Sequence, residues 1–115
     1  MEKLQNIVQK IEILPEKLTQ YALNPLHPVG KHKARVFQST LGYNLNNYHL
    51  LIQEILEKAL HAKVILKEAD NYGIRYQTDF EINGVNGKKA IIRIGWIVES
   101  DRKNLARLTT LRLLI

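Results

Sequence analysis

The chain has 115 residues, a formal net charge of +6 and no cysteine. That length suits one domain, residues 1–115, able to bury its own core, and the lack of cysteine excludes disulfides, thiol catalysis and cysteine-ligated zinc. Acid and amide residues break up the opening stretch MEKLQNIVQKIEI, so it does not read as a signal peptide; no apolar run approaches the ~18 residues of a membrane span, and the expected location is cytoplasmic.

In chain order, Pro15 suits the first turn of a short helix over residues 15–23, ended by Asn24-Pro25 because a residue before proline avoids the helical region. A turn with Pro28 and Gly30 leads to a second helix over residues 31–41, closed by Gly42. Asn46 or Asn47 caps a third, running to about His61, with Tyr48, Leu51, Ile52, Ile55, Leu56 and Ala59 on one buried face. Residues 63–67 form a candidate strand. Residues 74–82 alternate, Ile74, Tyr76, Thr78, Phe80 and Ile82 against Arg75, Gln77, Asp79 and Glu81. A hairpin loop over residues 83–87 precedes a second alternating strand over residues 89–98, and the last strand, residues 105–115, alternates less clearly. The predicted fold is α+β: two to three N-terminal helices packed on one face of a four-stranded antiparallel β-meander. The other sheet face is then open, carrying Arg75, Gln77, Asp79 and Arg93, with Arg107 and Thr109 as further candidates.

A net charge of +6 favours polyanionic partners, and its clustering matters more than its sum. The densest cluster is His27-Pro28-Val29-Gly30-Lys31-His32-Lys33-Ala34-Arg35. A helix N-terminus prefers acids, yet this first turn holds Lys31, His32 and Lys33, and Lys31 opposes Arg35 four residues on. A bound anion resolves that conflict, with Lys31, Lys33 and Arg35 as phosphate ligands; a solvated basic face is the plainer alternative. Lys33 borders the apolar stripe of Ala34, Phe37 and Leu41, so it is either a partly desolvated group suited to charge stabilisation or a lysine whose stem covers the core edge. His27 and His32 are candidate general acid–base groups. They lie five apart with no acidic partner in the segment, so no metal site and no cofactor are expected. On the open face Arg75, Arg93 and Arg107 form either a basic stripe, with Asp79 orienting one of them, or ordinary cross-strand polar pairs. Trp96 shares a face with Ile92 and Ile94 and reads as core.

The stretches Lys17-Leu18 with Tyr21, Leu23-Asn24-Pro25, His27-Pro28, Gly30, His32-Lys33-Ala34-Arg35-Val36-Phe37 and Leu41-Gly42 resemble a family of small bacterial proteins of unknown function. Tyr72-Gly73, Arg75-Tyr76, Asp79-Phe80, Trp96-Ile97-Val98 and Arg107-Leu108-Thr109 extend the resemblance, while Leu105-Ala106 stands where that pattern usually has a proline. Some members neighbour a second small protein, an arrangement similar to a toxin–antitoxin pair. Helices followed by an antiparallel meander also resemble the barnase, EndoU, colicin and RelE-type ribonuclease class. The resemblance implies His27, Lys33, Arg93, Trp96, Arg107 and Thr109 as places to look for metal-independent RNA cleavage.

The leading expectation is therefore a metal-independent ribonuclease-like toxin module. Catalysis would fall to His27, His32, Lys33, Arg93 and Thr109, and RNA phosphate binding to Lys31, Lys33, Arg35, Arg75 and Arg107. RNA, or a small acidic antitoxin-like protein, is the expected partner. The alternatives are a non-catalytic module binding nucleic acid or an acidic protein through the same basic segment, and an interaction protein whose charge is incidental.

Overall fold

In the computed structural model, which describes residues 2–115, the sheet is five-stranded and mixed. Its strands are β1 (Lys10–Glu12), β2 (Val64–Asp70), β3 (Gly73–Asn83), β4 (Lys89–Glu99) and β5 (Leu105–Leu114), in the spatial order β1-β5-β4-β3-β2. Strands β2 to β5 form the expected antiparallel meander. The correction is β1, which pairs parallel with β5 through Lys10↔Leu105, Ile11↔Ala106 and Glu12↔Arg107. Three residues carry too short an alternation to announce a strand, and their partner lies at the far end of the chain.

The helical half also differs in detail. Residues 15–23 are helical as expected, opening on an α turn in which the Thr19 amide donates to the Pro15 carbonyl, but not as a regular α-helix. They wind into a π-helical turn, Leu18–Ala22, in which the Leu23 amide donates to the Leu18 carbonyl. Helix α1 (Gly30–Leu41) buries Gly30, Ala34, Phe37 and Leu41 on one stripe and ends at Gly42, whose φ of 80° is the left-handed conformation glycine adopts without a Cβ penalty. Helix α2 (Tyr48–Lys58) continues as a 3-10 turn, Ala59–His61. Leu51, Ile55 and Ala59 face inward as expected, whereas Leu56 is exposed. Asn47 does sit at the start of α2, but its side chain accepts from the Asn44 amide and donates to the Gly42 carbonyl, closing the inter-helix loop. Among the described residues no helix is long and apolar enough to cross a membrane.

Phe37, Leu41, Leu51 and Ile55 share one core with Ile82, Ile92, Ile94, Trp96, Ala106, Leu108, Leu111 and Leu113, so the helices cover one sheet face. The alternate residues of β3, β4 and β5 form the other face. The register of β5 against β4 slips between Gly95↔Thr110 and Trp96↔Leu108. Thr109 is the extra residue of that bulge, which is why the alternation of the last strand is hard to read.

Candidate functional site

The segment over residues 24–35 is built by local hydrogen bonds. The Leu26 amide donates to Asn24 Oδ1 at 3.0 Å, turning the chain after Asn24-Pro25. The next residue, His27, closes the start of α1: its Nδ1 accepts the Val29 and Gly30 amides at 3.0 and 2.9 Å. The Lys31 amide donates to the His27 carbonyl and the His32 amide to the Val29 carbonyl. The orphan amides of the helix start are thus satisfied within the chain, by an imidazole in place of the usual Ser, Thr, Asp or Asn. An anion here would meet side-chain cations, not a row of free N–H groups.

Both amides end on Nδ1, so the imidazole serves here as a hydrogen-bond acceptor. His27→Ala should therefore cost about 1–2 kcal/mol in urea denaturation, while His27→Asn, whose amide oxygen can accept the same N–H groups, should recover most of that loss. Equal stability of the Ala variant and the wild type would refute the capping role.

Tyr21 joins this turn to α1. Its ring meets the His27 ring edge-on at 4.9 Å between centroids, and Lys33 Nζ lies 4.9 Å from its centroid. Tyr21, Lys33, Lys17, Gln20, Thr109 and Thr110 line a cleft of about 480 Å³ between the π-helical turn, α1 and β5, with Glu16 its one carboxylate. Lys33 is half-buried there, while Lys31, His32 and Arg35 are exposed. On the other flank of Lys33 a smaller groove of about 200 Å³ runs past Val36, Phe37, Arg112 and Leu113. Lys31 and Arg35 instead border a third cleft, of about 590 Å³, with Leu23, Pro25 and Leu45. Of the candidates named from the sequence, Lys33 and Thr109 line the same cleft without a direct contact, and His27 stands behind Tyr21. Lys17, Tyr21, Thr110 and Arg112 had no assigned role. Tyr21 was findable only as part of the same residue pattern as Gly30, which it contacts.

Arg93 lies elsewhere. It faces the open side of the sheet, opposite the helices, so it cannot share a centre with His27 or Lys33. Its Nε and Nη2 donate to the two carboxylate oxygens of Asp79 at 2.9 and 2.8 Å. Arg75 pairs with Glu68 at 3.6 Å and Arg107 with Glu99 at 3.2 Å. The open-face arginines are therefore cross-strand ion pairs rather than a free basic stripe. Asp79 does orient one of them.

Hydrogen bonds from Arg93 hold the Asp79 carboxyl below the usual carboxylate range, against the upward push of burial. A lowered folded value stabilises the fold above the unfolded value, near ~3.9, and that contribution disappears as pH falls through the folded value. Between about pH 5 and 2 the urea midpoint of the wild type should fall more steeply than that of Asp79→Asn; parallel curves would show the pair to be energetically silent.

The domain of unknown function DUF6883 matches residues 3–113. The chain belongs to that family. No curated protein and no solved structure matches it. Membership of the DUF6883 family brings no assigned chemistry, so the reading of the cleft rests on its own residues.

Proposed function

We propose that this DUF6883 chain is a polyanion-binding module that takes single-stranded RNA along α1. One observation carries the reading, the clustering of unpaired cations along α1. Lys31, Lys33 and Arg35, the three cations of α1, stand together without a carboxylate partner among the described residues, whereas the other unpaired cations, Lys3, Lys10, Lys17, Lys63, Lys67, Lys88, Lys103 and Arg112, are spread over other elements and Arg75, Arg93, Arg102 and Arg107 each have a carboxylate partner. Helix α1 itself carries no acidic residue. Unpaired cations gathered along one helix attract phosphates and release counterions when they bind.

The test is fluorescence anisotropy of a labelled uridine oligonucleotide, about a dozen nucleotides long, across a salt series. Each of Lys31→Gln, Lys33→Gln and Arg35→Gln should weaken binding and reduce the slope of log affinity against log salt by about 0.7. Arg75→Gln, which removes an already paired cation, should leave both nearly unchanged. A slope indifferent to the α1 variants would overturn the proposal.

A second reading, a metal-independent ribonuclease-like toxin with an acidic antitoxin-like partner, is favoured by the meeting of Lys33, Tyr21 and Thr109 in one cleft. In it Lys33 stabilises the charge building on the phosphorus centre. His32, exposed beside Lys33, takes the 2′-hydroxyl proton as the 2′-oxygen attacks phosphorus; the bond to the 5′-oxygen breaks, that oxygen leaves as a 5′-hydroxyl with a proton from water, and a 2′,3′-cyclic phosphate remains. Incubation with total RNA in excess chelator separates the two readings. Cleavage by the wild type and not by Lys33→Ala supports the ribonuclease; binding without cleavage leaves the module. Expression alone discriminates again, since a ribonuclease toxin slows its host.

A further inference from the structure

Strand β1 covers β5 only as far as Arg107. From Thr110 to Leu114 the strand is regularly paired with β4 on one side and has no strand on the other. No backbone hydrogen bond outside the ladder joins these five residues to any other described residue. Their outward N–H and C=O groups therefore form an open template for another strand. The opposite edge of the sheet is managed differently. Strand β2 is kinked by a register shift between Leu66 and Glu68, and the Val64 amide is already held by the Glu2 carbonyl.

Along the free edge runs the groove of Val36, Phe37 and Leu113, with Lys33 and Arg112 on its borders. A guest strand would alternate its side chains, one set into this groove and the other toward the open face, where Arg112 projects. Neither Lys33 nor Arg112 has a carboxylate partner among the described residues. The charge of the edge disfavours a second copy of β5 and selects an acidic occupant. We propose that Thr110–Leu114 is a strand-addition site for an extended acidic segment of a partner protein, with apolar residues alternating with glutamate or aspartate. This goes beyond RNA binding and stands if that reading fails.

The probe is an acetylated and amidated peptide of about ten residues alternating valine and glutamate, with a valine–lysine peptide as control. Amide exchange followed by NMR on the isotope-labelled protein should show alternate amides between Thr110 and Leu114 slowed by the glutamate peptide alone. The Lys33→Glu/Arg112→Glu double variant, both changes at side chains outside the core, should lose about tenfold or more in affinity for that peptide and gain affinity for the lysine peptide. Binding of the glutamate peptide without protection of these amides overturns strand addition. So does equal binding of both peptides, no binding of either, or protection by a uridine oligonucleotide and not by peptide.

Discussion

Gly30→Ala is expected to destabilise the protein by more than about 3 kcal/mol, seen as a large fall in the urea midpoint. A Cβ at this position would lie 2.1 Å from the Tyr21 carbonyl oxygen and 2.8 Å from its carbon. Both atoms are backbone, so neither can swing aside as a side-chain end would. Relief requires α1 to back away from the Leu18–Ala22 turn, loosening Leu18, Ala22 and Leu23 from the core they share with Phe37. The same movement would carry Lys33 off the Tyr21 ring and open the cleft with Thr109. Gly87→Ala provides the contrast. Nothing lies within 4 Å of a Cβ there, but φ is +84°, so only the left-handed conformation is penalised, at about 1 kcal/mol. Comparable losses at the two positions would mean that the contact between α1 and the turn is not tight, and the cleft would then lose its rigid wall.

That close approach also shows what a sequence can and cannot disclose. Elements marked by local signals were readable: α1 by its stripe and Gly42, and β3 and β4 by their alternation around Asn83-Gly84-Val85-Asn86-Gly87. Strand β1 was not, because parallel pairing with β5 joins residues almost a chain length apart. The turn Leu18–Ala22 was visible as helical but not as π, since its Leu23-to-Leu18 hydrogen bond follows from packing under α1 rather than from propensity. The site divides in the same way. The cluster of cations over residues 31–35 was evident from composition, and the resemblance singled out Thr109 as well as Lys33. That both line one cleft follows from the packing of β5 against α1 and the turn, which no local pattern announces. The capping role of His27 was hidden because a histidine ahead of basic residues reads as chemistry. Only the positions of the Val29 and Gly30 amides reveal it as a structural acceptor.

Trp96 poses the same question, and its variants should answer it with the other large effect. The indole is fully buried on the helix-covered face and donates its Nε1–H to Thr78 Oγ1 at 2.9 Å. Thr78 is the one buried polar residue among those described. Trp96→Ala should cost about 3–5 kcal/mol through the cavity it leaves. Thr78→Val keeps the shape but strands a buried N–H, at about 1–3 kcal/mol. Adding Trp96→Phe to Thr78→Val removes the stranded donor, so the double variant should be less destabilised than the sum of the single changes. Additive losses would show that the hydrogen bond contributes nothing beyond packing. The same variants separate core from site. The resemblance to ribonucleases marks Trp96 as a place to look for function, yet no ligand can reach a side chain with no exposed surface. Under conditions where both variants remain folded, the affinity of Trp96→Phe for a uridine oligonucleotide should equal that of the wild type, while Lys33→Gln loses affinity. Loss of RNA binding in folded Trp96→Phe would require the helices to lift from this face, and the ligand surface would then have to be sought inside the sheet–helix layer rather than along α1.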